Sequence, residues 1–215
     1  MIPFSPDIYL GVVAQMNALL WPAQLVAILL AFGVIYLSVR PNFRIERLPA
    51  LYLSLVWLGV GTVYYGLHFT PLNWAAWLGT GFFVLQGLLF LWFGVARNRL
   101  RLRFKGDAPS WIGLGLLIAA TAGYPLLGLA TGTGVAAIPI VGIDPGPTVL
   151  FTWGHLLLTA EKTYRLMLPI PFAVAWISAV AGWLIGLPAD IVLIPAVFTA
   201  LIVIVTLKRC VSRYA

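Results

Sequence analysis

Apolar residues run along this chain in blocks of membrane length, interrupted by polar residues at only a few places. The block from Thr148 to Lys162 differs from the others. Thr148, Thr152, His155, Thr159 and Lys162 recur at intervals of four, three, four and three, which puts all five on one face of a helix. Leu150, Phe151, Trp153, Leu157 and Leu158 cover most of the remaining surface. In hydrocarbon an unpaired hydroxyl or imidazole costs several kcal/mol, so this polar edge is expected to face neighbouring helices or a wet cavity.

The other blocks divide at turn residues and charges. Ser5-Pro6-Asp7 reads as a helix start, with a capping hydroxyl, a proline in the first turn and an acid at the positive end of the dipole. The run from there to Val39 is too long for one straight span. It is expected to split into an interfacial helix over 6–17 and a first span over 18–39, kinked near Pro22, with Asn17, Trp21 and Gln24 on one face. The second span is predicted over 48–68, with Ser54, Thr62, Tyr65 and His68 roughly on one side. The third, over 74–95, carries Gln86 near its middle. The fourth, over 110–130, carries Thr121 and Tyr124.

Residues 131–147 hold four glycines and three prolines among apolar neighbours, without a cation. Irregular backbone cannot face lipid, so this segment is expected to cap the bundle or fold back into its outer mouth. Asp144-Pro145-Gly146-Pro147 then turns into the striped fifth span. The sixth is predicted over 168–187 and the seventh over 189–207. Ser178, Gly182 and Gly186, four residues apart, form a small-residue ridge suited to close helix contact, within the chain or in a homodimer.

Composition supports this reading. With 215 residues, 62% hydrophobic and only 9% charged, and a mean hydropathy of +1.02, the chain is not an ordinary water-soluble domain. The net charge of +7 would suggest nucleic acid were its distribution different. All 13 Lys and Arg fall in four clusters: Arg40, Arg44, Arg47; Arg97, Arg99, Arg101, Arg103, Lys105; Lys162, Arg165; and Lys208, Arg209, Arg213. Each cluster ends an apolar span and the intervening connections carry none, which is the positive-inside pattern. The expectation is an all-α bundle of seven transmembrane helices in the inner (plasma) membrane, one transmembrane domain over 1–215. Its N-terminus lies outside and its C-terminus in the cytoplasm; nucleic acid is not a partner. Arg99-Leu-Arg-Leu-Arg-Phe-Lys105 alternates basic and apolar residues. It reads either as an extended strip on anionic lipid headgroups or as an ordinary stop-transfer loop.

Candidate chemistry is sparse. There are two histidines, His68 and His155, and one cysteine, Cys210, in the basic tail. No spacing fits a zinc site, and bis-histidine haem ligation needs a depth match that His68 and His155 lack; no metal or cofactor is expected. Counted from Thr148, His155 lies roughly 10 Å below the outer end of its helix. Asp7, Asp144 and Asp190 map to the outer side, and Glu46, Asp107 and Glu161 to the inner side, so no acid falls mid-span as a proton relay would need. Lys208 lies beyond the last span, which excludes a retinal Schiff base there. The polar groups left for a site are Gln24, Thr62, Tyr65, Gln86, Tyr124, Thr152 and His155, spread over five consecutive spans. They are expected either to line one outward-opening pocket for a small molecule or to hydrogen-bond helices together. In the second case the chain is a structural or accessory subunit. An intramembrane enzyme with His155 as base is a third reading, without a partner at convincing spacing.

The run Asn17-Ala-Leu-Leu-Trp-Pro-Ala-Gln24 resembles a motif of a bacterial inner-membrane family known as a domain of unknown function. Val63-Tyr-Tyr, Phe69-Thr-Pro-Leu-Asn73, Phe83-Val-Leu-Gln-Gly-Leu-Leu-Phe-Leu-Trp92, Tyr124-Pro-Leu-Leu-Gly128 and Pro147-Thr148 are also similar. The family pattern often places a cysteine before the proline that corresponds to Pro147. This chain has Gly146 there, which puts a thiol-dependent role in doubt; the resemblance implies an integral membrane protein and supplies no activity.

Overall fold

The computed structural model describes residues 6–40, 45–132, 134–159, 162–186 and 193–211. Arg44, Glu161, Asp190 and Arg213, which entered the charge map, and the Ser5 cap lie outside these. The described chain is all-helical, with eight principal helices and no β-strand. They are α1 Pro6–Leu19, α2 Ala23–Val39, α3 Leu48–Phe69, α4 Ala76–Ala96, α5 Ala108–Ala130, α6 Pro145–Leu158, α7 Pro169–Ile185 and α8 Leu193–Val211. Short 3-10 turns, Val135–Ala137 and Lys162–Met167, precede α6 and α7.

Four helical stretches are long and apolar enough to cross a membrane: α3, α4, α5 and Arg165–Leu184, which takes in most of α7. At 21 residues α4 is about 31 Å long, the thickness of a hydrocarbon core. The expected kink at Pro22 is an 85° bend that separates α1 from α2, with a cis Trp21–Pro22 peptide at the corner. Within α3, α4 and α5 the bonding widens to i→i−5 over Val60–Phe69, Phe90–Ala96 and Ala119–Gly123.

Glycine sets the closest helix crossings. The hairpin of α3 and α4 is seamed by glycines: Gly61 lies against Phe83, Gly79 against the Tyr65 ring and Gly87 against Leu58. The closest backbone approach joins α5 to α6. A Cβ on Gly113 would lie 2.6 Å from the Gly154 carbonyl oxygen, and one on Gly154 would lie 2.8 Å from the Gly113 carbonyl oxygen. The Ser178-Gly182-Gly186 ridge is arranged differently. Ser178 and Gly182 are buried within the chain, whereas Gly186 is exposed and ends α7 in the left-handed conformation, φ +78°. Gly186 is a C-cap that only glycine adopts without strain, so the ridge loses its last member.

α6 is the centre of the fold. All 14 of its residues are buried, and it packs against α5, α7, α8 and α3. It also departs from the expected limits. Pro145 and Pro147 occupy its first turn, where a missing N–H costs nothing, and the helix stops at Leu158, with Thr159 extended. The polar stripe therefore continues on one helix only from Thr148 to His155. Lys162 belongs to the following 3-10 turn.

Candidate functional site

The stripe of α6 is satisfied link by link. The Thr148 hydroxyl donates to the Asp144 carbonyl at 2.6 Å and accepts from the Gly142 N–H at 2.8 Å. The Thr152 hydroxyl donates to the Thr148 carbonyl at 2.9 Å and accepts from the Trp57 indole N–H at 2.8 Å. His155 Nδ1 faces the Phe151 carbonyl at 3.2 Å, and its Nε2 lies 3.3 Å from Ser38 Oγ. Because Nδ1 meets a carbonyl, it is assigned the proton, which leaves Nε2 to accept. Thus α6 is tied to α3 through Trp57 and to α2 through Ser38.

A serine hydroxyl beside an imidazole is the pairing of a nucleophile and its base, but this one has no access. Ser38 is 1% exposed and His155 0%. The Ser38 hydroxyl has a single proton, shared between His155 Nε2 and the Val34 carbonyl at 2.9 Å, and the far ring nitrogen meets a backbone carbonyl rather than an acid. The pair is a locked link between helices. It also corrects the expected depth of His155, which lies ten residues into α6, about 15 Å from its start. Its partner Ser38 is two residues from Arg40, so the imidazole is near the basic end of the bundle.

The other expected site residues face separate surroundings. Thr62 is exposed and, among the described residues, bonds only to its own helix, at Leu58 and Gly59. Tyr65 is half-buried in an aromatic cluster, 4.9 Å from Tyr64 and 5.3 Å from Phe83, ring centre to ring centre. Gln86 is buried, with Nε2 3.4 Å from the Met167 carbonyl. Tyr124 is buried near the wide-turn segment of α5. Gln24 donates to the Asn17 carbonyl across the 85° bend. Only Thr152 and His155 share the α6 stripe.

Two surfaces flank this core. At the Asp144 end, Asn17 donates to the carbonyls of Ala136 and Ile138 at 3.0 and 3.2 Å, which pins the irregular segment onto α1. There Tyr9 and Tyr64 hydroxyls meet at 2.8 Å and Tyr64 stacks on Phe69 at 4.4 Å. Ile140 N–H donates to the Asp144 carboxylate at 2.8 Å. At the opposite end, residues 99–105 form no helix and alternate in burial: Arg99, Arg101, Arg103 and Lys105 are exposed, while Leu100 and Leu102 are buried at 0% and 2%. The Phe104 N–H donates to the Ser38 carbonyl at 2.8 Å, which fastens the strip beneath α2.

Sequence reasoning missed Trp57 and Ser38. Ser38 is the sole hydroxylated serine or threonine of α2 and could have been flagged on that ground; nothing in the sequence marks which indole N–H finds a buried threonine. Among the described residues no three His, Cys, Asp or Glu side chains gather as a metal site would need.

Residues 6–214 match a Family of unknown function (DUF6064), and the chain belongs to that family. No curated protein and no solved structure matches it.

Proposed function

We propose that this member of a family of unknown function is a seven-span inner-membrane protein acting as a structural or accessory subunit. α2 to α8 are the crossings, with the N-terminus outside and the C-terminus in the cytoplasm. The observation that carries the reading is the α6 stripe: Thr148, Thr152 and His155 are each engaged by another protein group, which suits polar residues that join helices. The membrane setting draws on the apolar exterior. Trp21, Trp74, Trp77, Trp92, Trp111, Trp176 and Trp183 are each at least half exposed, as suits rings at a lipid or headgroup boundary. The cations Arg40 and Arg97 lie over Tyr36 and Trp92 at 5.5 and 4.7 Å, a snorkelling arrangement at the basic end.

An accessory subunit stabilises something else. In cells lacking this chain, quantitative proteomics of the membrane fraction is expected to show loss of one partner protein, restored by the wild-type chain. An unchanged membrane proteome, with the purified chain a partnerless monomer, would overturn the reading.

A second reading, the outward-opening pocket for a small molecule, draws on Asn17 Oδ1 and Gln24 Oε1. Both oxygens are buried without a hydrogen-bond partner among the described residues, beside the segment that caps the Asp144 end. A donor-bearing ligand would satisfy them. Mass analysis of the purified protein is the test: a stoichiometric small molecule lost in Gln24→Leu supports this reading, and an empty wild-type protein removes it.

A further inference from the structure

The strip at 99–105 does more than carry charge. Strand-like alternation places Arg101 and Arg103 on one side, with Cα atoms roughly 7 Å apart, while Leu102 between them turns inward and is buried. These two arginines rim a shallow open groove whose apolar wall is Leu37, Ile45, Pro49 and Leu102. Glu46 also lines it; its carboxylate accepts from Asn98 Nδ2 at 2.6 Å, which ties it to the turn, and its one negative charge stands against the two of the arginines. Asn98 holds the turn that starts the strip in the left-handed region, φ 49°, where asparagine is among the few residues tolerated. The arginine side chains have no such partner among the described residues. The groove therefore offers two free guanidinium forks above hydrocarbon.

We propose that this groove is a binding site for one anionic phospholipid, its phosphate held between Arg101 and Arg103 and the start of an acyl chain along Leu37 and Ile45. Guanidinium groups suit phosphate because their donors are planar and forked and they desolvate more readily than an ammonium. The apolar wall favours a lipid over free phosphate, which would leave that wall empty. Arg99 and Lys105 lie outside the groove and add only diffuse attraction. The inference rests on the membrane reading above, since it puts the strip at headgroup level.

The test is native mass spectrometry of the full-length protein equilibrated with equal phosphatidylglycerol and phosphatidylcholine. One phosphatidylglycerol is expected to be retained in preference to phosphatidylcholine. Arg101→Gln with Arg103→Gln is expected to weaken it about tenfold or more, whereas Arg99→Gln with Lys105→Gln, which removes equal charge, weakens it about threefold or less. Equal retention of both lipids by the wild-type protein overturns the site while leaving the membrane reading intact; retention of neither counts against both. An equal loss in the two double variants, or displacement of the lipid by millimolar inorganic phosphate, also overturns it. The wild-type comparison stands even if a variant fails to fold.

Discussion

α6 and α7 are both apolar helices, of 14 and 17 residues, yet they occupy opposite positions. Every residue of α6 is buried, including Thr148, Thr152 and His155. α7 leaves Trp176, Ile177, Trp183 and Leu184 at least half exposed and has one polar side chain, Ser178. In water the less polar helix would be the inner one. Here the order is reversed, which the proposed membrane setting accounts for: surroundings as greasy as leucine would give apolar side chains no reason to hide. Polar groups, which lose several kcal/mol if left unbonded in hydrocarbon, take the interior instead. Glycine supplies the second rule of this interior, by letting backbones approach where a side chain would hold them apart.

The contrast can be broken by substitution, with stability read from unfolding in mild detergent. The largest effect is expected from Gly154→Leu. Its Cβ alone would meet the Gly113 carbonyl and the Leu117 side chain at 2.8 Å, and forcing α5 from α6 should cost more than about 3 kcal/mol, read as loss of folded protein. Next is Thr152→Val, which keeps the shape and strands the Trp57 indole N–H in a dry interior; a loss of about 1–3 kcal/mol is expected. Ser38→Ala removes the partner of His155 Nε2, a longer contact, and about 1 kcal/mol is expected. Thr62→Val is the control. Its hydroxyl is exposed and, among the described residues, bonds only within its own helix, so a change within about 0.5 kcal/mol is expected. Equal losses for Thr62→Val and Thr152→Val would erase the distinction between an outer and an inner hydroxyl.

Much of this architecture was legible in the sequence. The second span was expected over 48–68 and α3 is Leu48–Phe69; the third over 74–95 and α4 is Ala76–Ala96. These limits follow from apolar length and flanking turns. The inward stripe was legible too, because desolvation acts on hydroxyls and imidazoles wherever the helix sits. The limits of α6 were not. Its start, at Pro145, sits inside a Pro-Gly-rich run that reads as loop, and its end, at Leu158, falls before Thr159 and Lys162, which keep the helical spacing in sequence alone. The three-residue shift of its start also misplaced His155. The Gly113–Gly154 crossing was hidden because neither glycine belongs to a regular series within its own helix, whereas Ser178-Gly182-Gly186 does and ends in a cap. Gathering Thr62, Tyr65, Gln86 and Tyr124 with the stripe required knowing how each helix is rotated. Apolar helices carry little sequence signal for rotation, since most of their faces look alike.

Carbene footprinting of the wild-type protein in bilayers, with a lipid-soluble diazirine and residue-level mass analysis, tests the placement of α6 most directly. The expected result is label on Ile177, Trp183 and Leu184 of α7 and none across residues 145–158. Label on Thr152, His155 or their neighbours at the level seen on α7 would put the polar edge against acyl chains and contradict the account.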